Sequence, residues 1–150
     1  MKQNIVRVRA VINDDSCDRS GIVVLSDGCR WDGFMSTGGP VLCDHGSGVH
    51  GIVPIGTVES IEMTTHKGKR SIIANMRFFE DDAATRQLRE RYLSGKTGGF
   101  EMRCLPNPDK TSPPTKAEVE SRPDWSKASL VYREWTLVEI SLLSSERAAS

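Results

Sequence analysis

The chain has 150 residues, a length that suits one domain with a single core and argues against two. Lys plus Arg is 20 and Asp plus Glu is 20, so the formal net charge is zero. That balance supplies no field to hold a polyanion, which argues against nucleic-acid or membrane-surface binding as the main role. No apolar run approaches the ~20 residues of a membrane helix. The first thirteen residues alternate polar and apolar side chains and lack the continuous apolar core of a signal peptide. The expectation is a soluble, intracellular protein.

In chain order, residues 5–11 alternate, with Ile5, Arg7 and Arg9 on one side and Val6, Val8 and Ala10 on the other, which predicts a strand. Asn13, Asp14, Asp15 and Ser16 read as a turn. Ile22, Val23, Val24 and Leu25 form a short apolar run closed by Ser26, Asp27 and Gly28. A loop with Gly33, Gly38 and Gly39 leads to a short strand at residues 40–43. Gly46, Gly48 and Gly51 then break the chain. Residues 52–63 alternate as a strand, 64–69 read as a polar turn, and 70–79 return with Ile72, Ala74, Met76 and Phe78 on one face. Asp81 or Asp82 caps a helix on which Ala84, Leu88 and Tyr92 recur every four residues, and Gly95 ends it. Residues 98–104 predict a strand that starts at a tight turn. Five of the seven prolines fall in residues 106–129, which read as one long mobile loop. Residues 135–143 form the last strand, and 144–150 a flexible polar tail. Many short strands and one clear helix predict a mainly β domain, a barrel rather than a parallel α/β sheet.

Cys17, Cys29, Cys43 and Cys104 form no CxxC pair and share no spacing with the histidines, which argues against a structural zinc site and for ordinary buried or half-buried thiols. His45 follows a short strand and precedes glycine-broken backbone, a good position for acid–base work. His50 and His66 are weaker candidates, and His66 reads as a solvated turn residue. Glu139 lies in the last strand, where the two alternating faces are Trp135, Leu137, Glu139, Ser141, Leu143 and Thr136, Val138, Ile140, Leu142. Both faces are largely apolar. Either Glu139 is partly buried and needs a partner, for which a histidine is suitable, or it reaches water at a sheet edge. Gly98 and Gly99 join the helix to the next strand. They allow close backbone approach and free N–H groups, as an oxyanion hole requires, and they also fit an ordinary helix stop and turn.

These pieces fall in an order that resembles the prohead serine proteases of tailed bacteriophages, of the HK97 type. Residues 18–24, DRSGIVV, are similar to that family's "D-R-x-G-x-v-v" opening, and 40–46, PVLCDHG, to its "P-V-L-x-x-H". Residues 55–58, IGTV, match "I-G-x-V"; 97–100, TGGF, stand where the family has "S-x-G-F"; and 135–142, WTLVEISL, resemble "W-x-L-x-E-I-S-L". The resemblance spans residues 5–143. It implies a β-barrel with flanking helices, like the herpesvirus capsid protease. The implied activity is cleavage of scaffold, capsid-protein extensions and the protease itself inside the immature phage shell in the host cytoplasm. By position, His45 becomes the general base, Glu139 the group that orients it, and residue 97 the nucleophile. Gly98 and Gly99 supply oxyanion donors, and Arg103 an added positive charge. No metal or organic cofactor is implied. The implied partners are the phage major capsid protein and scaffold, with a homodimer compatible.

Residue 97 departs from the family, being threonine rather than serine. Its hydroxyl is of similar acidity, but the extra methyl restricts χ1 and crowds the attacking oxygen. Three readings follow: Thr97 is a working nucleophile, Ser94 has taken over through a shifted turn, or the site is dead. The rival class is a non-catalytic capsid-assembly or scaffold protein on the same fold. A third is a small β-barrel binding module, against which the ordered His–Thr–Glu set counts.

Overall fold

A computed structural model describes residues 5–48, 51–80 and 82–145. His50, Asp81 and residues 146–150 of the expected tail lie outside the described residues. The fold is mainly β. Strand β1 is Arg7–Asn13, β2 Ile22–Val24 and β3 Cys29–Arg30. Helix α1 is Asp32–Ser36, followed by β4 at Pro40–Cys43. Strands β5, Gly56–His66, and β6, Lys69–Phe78, form a long hairpin before helix α2 at Ala83–Leu93. Then come β7 at Phe100–Pro106, β8 at Thr111–Ser112, α3 at Lys116–Ser121, β9 at Leu130–Tyr132 and β10 at Trp135–Leu142.

The main sheet runs β1-β6-β5-β4-β10, with β3 beside β4 on the same edge of β10. β3 and β4 pair with β10 in parallel, and β7 pairs with its other edge antiparallel. The sheet curls until β1 comes against β7, so its concave face encloses the core. Val8, Val41, Ile72, Ala74, Met76, Phe78, Trp135, Leu137, Ile140 and Leu142 fill it. Trp135 is fully buried, and its indole N–H is satisfied by the Leu25 carbonyl at 2.7 Å. Truncating a side chain of that size in a packed core typically costs about 3–5 kcal/mol. Tyr92 on α2 stacks between Phe78 and Phe100, at ring-centre distances of 5.5 and 5.8 Å, which seats the helix on the sheet.

Several local expectations are corrected. The polar turn of residues 64–69 shrinks to Lys67 and Gly68, both left-handed with φ of 51° and 77°, as a two-residue hairpin turn requires. Thr64, Thr65 and His66 remain in β5, paired to Ser71, Arg70 and Lys69. The strand expected from residue 52 begins at Gly56, and Ile52 and Val53 are exposed. The loop before β4 contains α1, which buries Phe34; a five-residue helix is too short to show a periodicity. Helix α2 is capped by Asp82, whose carboxylate accepts the Thr85 N–H at 2.7 Å.

Residues 106–129 carry regular structure rather than one long loop. Pro108 and Pro123 open single helical turns, where a missing N–H costs nothing. Thr115 and Glu118 form a reciprocal capping box on α3. A second sheet, β2-β9-β8, closes over Val23, Trp125 and Val131, and the Trp125 indole donates to the Asp15 carbonyl at 2.9 Å.

Candidate functional site

The site is built at the C-terminal end of β10. β4 runs parallel to β10 and ends there, while β7 runs antiparallel and begins there, with Leu142 facing both Cys43 and Phe100. The turn after β4 and the loop before β7 therefore meet at one end of the sheet, on opposite flanks of β10.

Asp44, His45 and Gly46 are all left-handed, with φ of 50°, 57° and 83°. Two consecutive non-glycine residues in that region cost of order 1–3 kcal/mol each unless the surroundings hold them. Here the surroundings do so. The Asp44 carboxylate accepts the Ser144 N–H at 2.9 Å and the Ser144 hydroxyl. The His45 N–H donates to the Oγ of Ser141, which is fully buried, at 2.7 Å. These contacts stitch the turn to β10 and swing the imidazole over that strand.

Nδ1 of His45 then lies 3.1 Å from Oε1 of Glu139. The two side chains are 19% and 11% exposed, so solvent screens the pair weakly. The second carboxylate oxygen of Glu139 faces Nε of Arg103 at 3.4 Å. On the other side of the ring, Nε2 of His45 is 3.9 Å from Oε2 of Glu101, an ion-pair distance rather than a hydrogen bond.

Glu139 reaches this face through a β-bulge. Leu137 pairs with Cys104 and Glu139 with Arg103, so Val138 is one residue too many for β7. Trp135 and Leu137 point into the core before the bulge, and Ile140 and Leu142 do so after it. This corrects the expected assignment of Glu139 to the face of Trp135 and Leu137. Beyond the bulge, Glu139 and Ser141 share the face that His45 covers.

Thr97 is half-buried in the loop between α2 and β7. The carbonyl of Lys96 just before it accepts Nη2 of Arg91 at 3.1 Å. No hydrogen bond joins the Thr97 hydroxyl to His45 among the described residues. Ser94 is exposed at the end of α2, its N–H bonded to the Glu90 carbonyl at 3.0 Å. Gly98 is corrected as an oxyanion donor: its N–H donates to the Leu143 carbonyl at 2.9 Å. Its lack of a side chain serves packing, since a Cβ there would stand 2.8 Å from both the Leu143 Cβ and the Ser145 carbonyl oxygen. Gly99 is exposed with open space around it.

Burial pushes the Cys43 thiol up to about 11 and the Cys29 thiol up to about 12, so both stay protonated near neutrality. Cys43, two residues from His45, is buried and packs in the core. No group of three or more His, Cys, Asp or Glu stands ready for a metal among the described residues. Sequence reasoning passed over Asp44, Glu101, Ser141 and Ser144. Asp44 and Ser144 had no spacing to link them, and Glu101 was legible only as a polar position in β7. Compared with protein-family models, curated proteins and solved structures, the chain matches none.

Proposed function

We propose that the chain is a capsid-maturation endopeptidase of the tailed-phage prohead kind, on a fold like that of the herpesvirus capsid protease. It cleaves scaffold, capsid-protein extensions and itself by acyl transfer. The observation that carries this reading is the His45–Glu139 pair: an imidazole with one nitrogen 3.1 Å from a mostly buried carboxylate and the other on the far side of the ring, 3.9 Å from the Glu101 carboxylate.

In this mechanism the Thr97 hydroxyl attacks the scissile carbonyl while Nε2 of His45 accepts its proton. Nδ1–H stays on Glu139, which fixes the tautomer and stabilises the imidazolium. Arg103 shares the charge of Glu139. The Gly99 N–H serves the oxyanion, a contribution of ~3–4 kcal/mol for a donor of this type. As the scissile C–N bond breaks, His45 gives the proton taken from Thr97 to the leaving amine and the acyl-enzyme remains. His45 then takes a proton from the attacking water and returns it to the Thr97 oxygen, which frees the acid product.

The second reading is a catalytically dead homologue that serves capsid assembly. The missing hydrogen bond between Thr97 and His45 favours it. Co-expression with a phage capsid protein and its scaffold separates the two, read as intact masses. Defined fragments that vanish in His45→Ala support the protease; intact partners co-purifying with the parent and with Thr97→Ser alike support the assembly protein.

A further inference from the structure

A cleft of about 440 Å³ lies between α2 and the end of β10, outside the His45–Glu139 pair. Ala84, Gln87, Leu88 and Arg91 line one wall, and Asp44 and Ser144 the other. The first four fall on one stripe of α2, at the spacing that puts side chains on a common helix face. Leu88 is buried and forms an apolar floor, while Gln87 and Arg91 are exposed at the rim. A space of this size accommodates a side chain and its flanking peptide groups.

His45, Glu139 and Thr97 do not line the cleft, which reaches the candidate site through their neighbours. Asp44 precedes His45. Arg91 uses Nη2 to hold the Lys96 carbonyl at 3.1 Å, next to Thr97, and the Ser144 carbonyl at 3.0 Å. The other N–H groups of Arg91 have no hydrogen-bond partner among the described residues. The guanidinium is thus fixed by two carbonyls and keeps donors to spare for a planar acceptor. On the opposite wall, the Asp44 carboxylate is already engaged by the Ser144 N–H and hydroxyl. The surrounding α2 and its exit are basic, with Arg86, Arg89, Arg91 and Lys96 against Glu90.

We infer that this cleft is a specificity subsite that takes the side chain of a glutamate beside the scissile bond, its carboxylate on Arg91 and Gln87 and its methylenes on Leu88. That the glutamate belongs to a substrate rests on the protease reading; the binding itself does not.

The test titrates the labelled full chain with N-acetyl-glutamate methylamide and, separately, N-acetyl-lysine methylamide, followed by amide NMR shifts. The expected result is saturable shifts at Ala84, Gln87, Arg91 and Ser144 with the glutamate compound only. Arg91 also braces the loop, so the decisive variants are at Gln87, which makes no hydrogen bond among the described residues. Gln87→Lys is expected to tighten glutamate binding about two- to fivefold and Gln87→Glu to weaken it by a similar factor, the range of an exposed charge pair. Equal binding of both compounds, shifts elsewhere, or indifference to both Gln87 variants overturns the inference. Glutamate binding as expected, with no peptide cut by the parent or Thr97→Ser, leaves the cleft standing and removes the protease reading. Cleavage without glutamate binding does the reverse.

Discussion

Nδ1 of His45 stands 3.1 Å from Oε1 of Glu139, across 94 positions of sequence, because two irregularities coincide. The left-handed turn at Asp44 and His45 folds the imidazole back over β10, and the bulge at Val138 turns Glu139 out to meet it. Either element in regular form would leave one partner pointing elsewhere. Strain held by specific hydrogen bonds, here from the His45 N–H to Ser141 and from Ser144 to the Asp44 carboxylate, is common where geometry serves a site.

Glu139→Gln keeps the shape of the side chain and removes its charge. The fold is expected to survive, because the amide keeps an acceptor oxygen for His45 and the largely exposed Arg103 keeps its hydration. Cleavage is expected to fall by on the order of 10³–10⁴-fold, as when a triad carboxylate becomes an amide and the imidazole loses its orienting charge. Single-turnover cleavage rates check this; an unchanged rate removes Glu139 from the mechanism.

Ser141→Ala deletes the acceptor of the His45 N–H without touching the imidazole. A buried donor left unpaired costs about 1–3 kcal/mol. The expected outcome is a lower urea midpoint with unchanged m-value, together with a broadened or shifted His45 ring signal in NMR. A variant with parental stability and an unmoved His45 signal shows that the turn is held by Asp44 alone.

The longer strands of the main sheet were legible because one face is buried and the alternation is strict, as in Ile72, Ala74, Met76 and Phe78 of β6, whereas the two-residue β3 and the start of β5 at Gly56 were not. Helix α2 announced itself by Asp82, Leu88, Tyr92 and Gly95. The face of Glu139 was not legible, since a bulge inserts one residue and inverts every parity after it, and nothing in the local sequence marks where β7 skips. The small β2-β9-β8 lobe was hidden behind the prolines of residues 106–129, whose number suggests coil although Pro108 and Pro123 open helical turns. His45 and Glu139 were identifiable as residue types at strand positions; the backbone hydrogen bond to Ser141 and the role of Gly98 in packing depend on contacts that no spacing reveals.

Gly98→Ala tests that last point. The added Cβ meets the Leu143 Cβ and the Ser145 carbonyl at 2.8 Å, closer than real Cβ contacts. The start of β7 must move away from β10, and the Gly98–Leu143 hydrogen bond with it. The expected loss of stability is about 1–3 kcal/mol, the cost of overpacking. Chemical denaturation measures it; a neutral Gly98→Ala shows that the loop accommodates a side chain.

The small lobe has its own acid sensitivity. Hydrogen bonds from Arg133, then from the Thr115 N–H, hold the Glu118 carboxyl down to about 2 from an ordinary 4.5. Arg133 grips it through both Nη atoms at 2.8 Å. A carboxylate with a depressed folded value stabilises fully above its unfolded value, and that stabilisation is lost as pH falls through the folded value. The lobe is therefore expected to weaken between pH 4.5 and about 2. Urea midpoints at pH 5 and pH 3 should differ less in Glu118→Gln than in the parent, after allowance for the other carboxylates common to both. Equal differences in the two proteins rule out Glu118 as the source.

Residue 97 decides between the two proposed functions. Thr97 sits half-buried in the loop that leads into β7, at the same end of β10 as His45, and among the described residues its hydroxyl makes no hydrogen bond to the imidazole. A β-branched side chain has fewer accessible rotamers than serine, so the methyl limits the search for an attack geometry. Thr97→Ser keeps the hydroxyl, removes the methyl and is expected to cleave at least as fast as the parent. Thr97→Ala is expected to be inactive, because the exposed Ser94 is bound into the end of α2 and lies three residues earlier on the loop. Equal cleavage by Thr97→Ala and the parent makes Ser94 the nucleophile instead. An inert parent rescued by Thr97→Ser identifies a protease disabled at one atom, with the His45–Glu139 pair intact. If Thr97→Ser is as inert as the parent while both bind capsid protein, the His45–Glu139 pair serves assembly, and acyl transfer is excluded.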